Sequence, residues 1–380
     1  MNELLPIFAD FFKYTGLVNV TFGHIFMICI GLAFIALAIV KKWVPMLLIP
    51  IGFGILIGNI PLFSGLHGGI NDDGSALNIL YSGIKNGWYP ALLFLGIGAM
   101  TDFSSLISNP KLFLIGAAAQ TGIFGAYILS VYFGFMPNEA ASIGIIGGAN
   151  GPTAIFLSSE LAPNIICIVA ILAYLYMALS PLIQLPLMKL FTTPKERVIR
   201  MKPPRAVSQT EKILFPIVGF VLICLLIPAT IPLLGMLFLG NLLKESGVTR
   251  RLAETAKGPM LDIVTILIGI TIGASAQATT FLKIESLKIL CIGAISFVIA
   301  TIVGILFVKL MNIFLKQENK INPLIGNAGV SAFPESAHVS QLAGERYDPS
   351  NHLLMHATGA NVAGVIGSVI AAGILLGYLG

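Results

Sequence analysis

The sequence predicts an all-α polytopic membrane protein made of two inverted-topology repeats, each interrupted by a broken or re-entrant helix. Three observations lead there. Of 380 residues 56% are hydrophobic and 10% charged, whereas a soluble domain carries about 25% charged residues. Apolar runs of roughly 20 residues, enough to cross about 30 Å of hydrocarbon, recur along the whole chain. Similar segments also return in the same order in both halves, and two apolar stretches are broken by Gly, Pro and Asn.

At the N-terminus, MNELLPIFADFFKYTGLVNV carries Asp10 and Lys13 and lacks a basic start, so residues 1–20 read as an interfacial amphipathic helix rather than a cleaved signal. Ten crossings follow, at 24–40, 43–62, 88–107, 111–136, 163–191, 213–228, 229–245, 259–277, 284–316 and 352–379. Two stretches cannot be clean helices: ASIGIIGGANGPTAIFLSSE, after the fourth crossing, and INPLIGNAGVSAFPESAHVSQ, after the ninth. The polar segment 192–212 is a cytoplasmic linker between a first membrane repeat, 21–191, and a second, inverted one, 213–380.

Three pairs of segments carry the repeat. LLIPIGFGILIGN, ending at Asn59, returns as IPLLGMLFLGN, ending at Asn241; GIGAMTDFSSLI, around Asp102, returns as TIGASAQATTFL, around Gln277. GGANGPTAIF, from Gly147, answers GNAGVSAFPE, from Gly326, and the three offsets fall between about 175 and 182 residues. An odd number of crossings per half inverts the second half. Lys41 and Lys42, Lys189 to Arg205, Arg250, Arg251 and Lys257, and Lys309 to Lys320 then share one side, the cytoplasm, opposite Asp72 and Asp73. The two broken elements enter from opposite faces and meet near mid-membrane, with Asn150 and Asn322 close together.

Several function classes fall away. The net charge of +5 lies in short loops between spans, where it sets orientation rather than binding nucleic acid. Cys29, Cys167, Cys224 and Cys291 stand singly in apolar stretches, without disulfide or zinc spacing. No GKS or GKT loop is present for an ATP-driven pump. His352 and His356 lie four apart on one helix face without an evident third metal ligand.

Broken backbone at membrane depth persists only where protein or a water-filled cavity satisfies it, and its free carbonyls are hard oxygen ligands. With Asn150, Thr153, Asn322 and Ser331 they suit sodium, and Gly147, Gly148, Gly151, Gly326 and Gly329 allow the close turns such a site needs. The competing reading makes these glycines packing residues. Asp102 reads equally as an ion-path carboxylate or as a cap for SSLISNP, whereas Asp262 suits a helix start. Tyr174 and Tyr176, in mid-span, offer pathway hydroxyls. His338 and Arg346 are cationic contacts for an anionic substrate or residues of a solvated loop.

GGANGPTAIFLSSELAP, AYLYMALSPLIQ, NPLIGNAGVSAFPESAHVSQ and NHLLMHATGANVAGVIGS together resemble the β subunits of the sodium-translocating, biotin-dependent decarboxylases acting on oxaloacetate, methylmalonyl-CoA and glutaconyl-CoA. The similarity runs over nearly the whole chain, starting near GLVNVTFGHIFMI. It implies that this subunit decarboxylates carboxybiotin, carried by a partner subunit, while exporting sodium across the cytoplasmic (inner) membrane. It also implies a biotin carrier, a carboxyltransferase and a small membrane-anchoring subunit as partners, a homotrimer, and a fold similar to the sodium-coupled citrate transporters with an elevator-like moving domain.

Motif by motif, the resemblance places polar groups at Tyr176, Asn322, Gly326 and Ser331, with Asn361 in GANVAG answering the usual GPNVAG asparagine. Tyr176, Ser331 and His338 are then candidates for proton or substrate contacts, Asn361 and Arg346 for holding carboxybiotin, and Asn150, Thr153, Asn322, Gly326 and Ser331 for sodium. Two positions depart from the family: GGADGPT has an aspartate where this chain has Asn150, and an arginine is usual where this chain has His338. A second reading of the same architecture is a stand-alone sodium-coupled transporter of a carboxylate.

Overall fold

A computed structural model describes residues 14–63 and 65–380, and among them every regular element is helical. The interfacial helix expected over 1–20 lies largely outside the described residues; within its range Gly16–Asn19 forms a single 3-10 turn. Among the described residues six helices are long and apolar enough to cross a membrane: Phe22–Lys41, Leu112–Tyr132, Gln209–Leu226, Arg250–Ser275, Ile284–Phe314 and Leu354–Leu379. Ile166–Ala178 and Ser180–Phe191, bent by 58°, make a seventh if counted as one span. Pro181 explains the bend, because it withholds an N–H from the ladder. Ser180 Oγ meets the disturbed carbonyls, Met177 O at 2.7 Å and Tyr176 O at 3.2 Å.

Ten crossings are therefore more than helix length supports. All ten expected segments carry a helix, but Pro45–Gly58, Trp88–Met100 and Ile231–Glu245 have only 14, 13 and 15 residues. At 1.5 Å per residue these span about 20 Å, short of the ~30 Å hydrocarbon core. Hydropathy overshoots because apolar sequence continues through the caps that end the helices. A helix at Ala76–Lys85, started by Ser75 Oγ accepting from Asn78 N at 3.1 Å, occupies what reads in sequence as a loop.

The chain forms two compact units, each drawing on both halves of the sequence: described residues up to Tyr89 with Asp262–Leu287, and Pro90–Leu261 with Lys288–Gly380. In the first unit Asn59 ends its helix and ties it to the end of another: Nδ2 donates to Ile55 O at 2.9 Å and Ala276 O at 2.7 Å, and Oδ1 accepts from Ala278 N at 2.9 Å. In the second unit Asn241 Nδ2 donates to Thr101 O at 3.0 Å, where Lys244 Nζ also arrives at 2.9 Å. Preceding each asparagine is a glycine whose missing Cβ admits a neighbouring backbone, Ala274 at Gly58 and Leu95 at Gly240. The segments that match in sequence thus do matching work.

The second unit carries both broken elements. At the first, Pro137–Gly144 tightens into a 3-10 turn, Ile145–Gly148, then Ala149 turns left-handed at φ 47° and Asn150 caps a new helix, Gly151–Leu161. Gly147 and Gly148 weaken the helix, and Pro152 sits in the first turn, where its missing N–H costs nothing. At the second, Asn322 caps the 3-10 helix Pro323–Gly329, Val330 begins an extended stretch, and the helix Glu335–Glu345 follows. Leu354–Leu379, buried over most of its length, packs against both.

Candidate functional site

The two broken elements touch. Ser331 Oγ donates to Gly148 O at 2.6 Å, so the extended stretch of the second break is pinned to the 3-10 turn of the first. Next to this junction Asn150 Nδ2 donates to Ser368 Oγ at 3.1 Å, and Ser368 Oγ in turn donates to Val365 O at 2.8 Å. Asn150 Oδ1 accepts from Thr153 N at 3.3 Å as the helix cap. Asn361 Nδ2, from the same helix as Ser368, lies within hydrogen-bond reach of Val330 O at 2.9 Å, Ala328 O at 3.1 Å and Ala332 O at 3.4 Å. Gln120 Nε2 reaches Gly116 O, Gly364 O and Gly329 O at 3.0, 3.2 and 3.3 Å.

All six side chains of this cluster (Gln120, Asn150, Thr153, Ser331, Asn361, Ser368) are at most 5% exposed. Their chemistry is neutral oxygen and amide nitrogen with no carboxylate among them, and no group of three His, Cys, Asp or Glu able to hold a metal occurs among the described residues. Gln120 Oε1, Asn361 Oδ1 and Thr153 Oγ1 are buried without a protein partner. Hard, neutral oxygens in a dry setting match a weakly charged hard cation better than a transition metal. A buried acceptor left unpaired costs about 1–3 kcal/mol, so such oxygens are where a ligand gains most.

Other residues singled out in the sequence sit elsewhere. Asn322, expected beside Asn150, is engaged at both ends away from the junction: Oδ1 accepts from Leu324 N at 3.0 Å, and Nδ2 donates to Arg197 O and Ile199 O, each at 2.9 Å. Gly326 presses backbone to backbone on Gly304. Tyr176 donates its hydroxyl to Leu290 O and stacks on Phe297, centroids 6.2 Å apart. Tyr174, fully inside, lays its ring where a Cβ of Gly151 would stand.

Cationic candidates lie at the rim. His338 is exposed on Glu335–Glu345. Arg346, also exposed, lines a cavity of about 250 Å³ with Lys189, Arg197 and Tyr347. Asp102 is a cap, Oδ1 accepting from Ser104 N at 2.9 Å. Asp262 is exposed in the first turn of its helix.

The linker 192–212 contributes more than a division. Arg197 is 6% exposed, donates to Thr192 Oγ1 at 2.8 Å, Lys189 O at 2.6 Å and Thr192 O, and lies 4.7 Å from the Tyr347 ring centroid. Ile199 O also accepts from Asn351 Nδ2 at 3.2 Å, and Glu196 pairs with Lys309 at 3.3 Å. Hydrogen bonds from Ser350 and Arg200 hold the Asp348 carboxyl below the usual range, and this partly buried carboxylate anchors the linker, 2.8 Å from Arg200. Gln120, Ser368 and Arg197 lie outside the broken motifs and place no charge inside a span, so the sequence does not single them out; a lone Gln in GAAAQTGIFG is the available signal.

Comparison with known proteins agrees with this chemistry. A family model described as the Na+-transporting oxaloacetate decarboxylase beta subunit matches residues 23–379. The chain is 49% identical to the methylmalonyl-CoA decarboxylase subunit beta of Propionigenium modestum, covering 99% of this chain and 100% of that one. It is 47% identical to the glutaconyl-CoA decarboxylase subunit beta of Acidaminococcus fermentans, over 100% of both chains. With the oxaloacetate decarboxylase beta chain of Klebsiella pneumoniae it shares 45% identity over 96% of this chain and 97% of that one.

Proposed function

Because the chain belongs to the family of Na+-transporting oxaloacetate decarboxylase beta subunits, the membrane components of sodium-transporting decarboxylases, we propose that it decarboxylates carboxybiotin and exports sodium. Carboxybiotin arrives on a biotin carrier subunit charged by a carboxyltransferase; a small membrane-anchoring subunit and a homotrimeric assembly in the cytoplasmic (inner) membrane complete the complex. The observation that carries the reading is the Ser331–Gly148 junction, where two broken elements meet among buried neutral oxygens. Relatives named for three different acyl or keto-acid substrates share 45–49% identity with this chain. That uniform likeness supports leaving substrate choice to another subunit.

The chemistry follows from desolvation. Carboxybiotin enters from the cytoplasmic side past His338, whose imidazole can hydrogen-bond its carboxylate, and Arg346, whose positive charge attracts it; closure strips water from that carboxylate and favours loss of carbon dioxide. The ureido nitrogen takes a proton as the N–C bond breaks, with Tyr176 and Ser331 as candidate proton or substrate contacts and Asn361 as a candidate biotin contact. Sodium binds among Asn150, Thr153, Ser331 and the break carbonyls, with Asn322 and Gly326 holding the second break in place. Two inverted repeats, supported by the paired Asn59 and Asn241 ties, supply the symmetry for alternating access, as in the sodium-coupled citrate transporters.

The test is sodium-dependent carboxybiotin decarboxylation by the assembled complex in vesicles, with avidin added in one arm. Sodium movement that stops with avidin is the expected result. Sodium-coupled carboxylate uptake by this chain alone, indifferent to avidin, would replace the proposal with a stand-alone transporter.

A further inference from the structure

Gln120 stands where three backbones converge on one amide. It closes Leu112–Ala119 and opens Thr121–Tyr132, in the middle of an apolar span. Its Nε2 faces three carbonyls, and all three belong to glycines on different segments: Gly116 in its own helix, Gly329 at the end of the 3-10 turn of the second break, and Gly364 in Leu354–Leu379. Those glycines explain why one amide reaches all three. A Cβ on Gly116 would run into Ala363 and Gly364, one on Gly329 would sit 2.8 Å from Ile115 O, and one on Gly364 would strike Gly329 O. Only bare backbone lets the segments approach so closely.

Two residues beyond Gly329, along extended chain, Ser331 makes the 2.6 Å bond to Gly148 O that joins the breaks. A shift of the Gly329 carbonyl is therefore passed directly to that junction. Gln120 Oε1, buried and without a protein partner, adds an oxygen to the same neutral cluster. We propose that Gln120 is a positioning residue for sodium, its amide holding the second break in the register at which Ser331 and the break carbonyls face the ion. The inference rests on the sodium reading above and adds a residue to it. Glutamine is required rather than glutamate because three carbonyl oxygens need a donor, and a carboxylate in that place would repel them.

The experiment measures two quantities over a sodium series at constant ionic strength: decarboxylation by the assembled complex, and the rise in Tm of the purified chain when sodium replaces choline. Gln120→Leu and Gln120→Glu are each expected to raise the half-activating sodium concentration by about fivefold or more, the worth of one lost hydrogen bond, with turnover at saturating sodium held within about twofold. The sodium-induced rise in Tm should shrink in step. Gly367→Ala tests the same point without touching the three carbonyls, because its Cβ would stand 3.1 Å from Gln120 Cγ and nudge the side chain. It should shift sodium activation in the same direction by a smaller factor, and it carries the test if the Gln120 variants do not fold. Unchanged sodium activation in the folded variants, or a uniform fall in turnover at every sodium concentration, would overturn the proposal. A wild-type complex indifferent to sodium would instead sink the functional reading itself.

Discussion

At the first break the chain turns through Ala149 at φ 47° and restarts a helix under its own Asn150 cap; at the second it runs extended and gives its carbonyls to Gln120 and Asn361. The first restarts its helix on its own cap, with Ser331 on Gly148 O and Ser368 on the Asn150 amide as its distant partners. The second depends on donors 29 to 33 residues away at Asn361 and 209 away at Gln120. Both answer the demand that backbone inside a membrane find partners. The first break leaves the buried Thr153 hydroxyl without a protein partner and so open to a ligand, whereas a break held by distant side chains can be moved by them. The first break is suited to bind and the second to transmit.

The widest gap between the two should appear at their amide donors. Asn361→Leu removes the amide donor from Ala328 O, Val330 O and Ala332 O, which, unlike the Gly116 and Gly364 carbonyls at Gln120, do not lie in an α-helix; each buried orphan costs about 1–3 kcal/mol, so a larger drop in Tm than at Gln120 and loss of coupled turnover are expected. Ser368→Ala, at the first break, removes one partner of Asn150 and should cost only about 1 kcal/mol. Equal losses of Tm in detergent would abolish the distinction.

Glycine substitution sharpens it next. A Cβ on Gly326 meets the Gly304 backbone, which cannot yield, whereas one on Gly148 meets the Ile123 Cδ1 and Ser331 Oγ side-chain ends at 3.3 Å. Gly326→Ala is expected to destabilise by about 1–3 kcal/mol, as overpacking does, and Gly148→Ala by clearly less. Thermal melts of the two variants side by side decide the order.

Charge distinguishes the first break further. Asn150→Asp places a carboxylate where the junction holds only dipoles, and the Ser368 hydroxyl can turn from Val365 O to donate to it. Attraction at contact distance in a dry site is worth at least the ~1.4 kcal/mol of a tenfold change, so half-activation by sodium should fall about tenfold with the fold unchanged. Equal sodium activation in both forms would show that this position needs no charge. Smallest is Ala149→Gly: relief of left-handed strain, about 1–2 kcal/mol, is largely offset by the flexibility of glycine, leaving a gain under about 1 kcal/mol in Tm measurements.

Local chemistry was legible in the sequence to the extent that it is local. Gly147–Gly148 followed by Asn150 and Pro152 announces a broken helix, and the structure breaks there. One of the three matched segment pairs ends on asparagines, and Asn59 and Asn241 each donate to a carbonyl just past the end of a neighbouring helix. Crossing number was overstated because apolar residues continue through helix caps. Asn322 is expected beside Asn150 because inverted repeats bring the two broken elements together from opposite faces; its amide instead meets carbonyls 123 and 125 residues upstream, a pairing no local pattern encodes. The linker looked like a divider for the same reason. Gln120 lies outside both broken motifs, in an otherwise apolar span, so the motif residues draw attention away from it, although an amide is what unpaired carbonyls call for.

The placement of Leu354–Leu379 also has a consequence for how the protein is made. Synthesis runs from the N-terminus, and 218 residues separate Asn150 from the Ser368 that receives it. At ribosomal rates of about 5–20 residues per second, the first break waits on the order of ten to forty seconds for that partner. The second waits less, yet Asn361 too arrives only with this helix. The middle of the polar core is therefore closed by its latest arrival, and until then both breaks lie in the bilayer as half-finished surfaces. Insertion and maturation are thus separate events, and a nascent chain stalled before residue 354 should already be threaded through the membrane while still exposed to the quality-control proteases that patrol it.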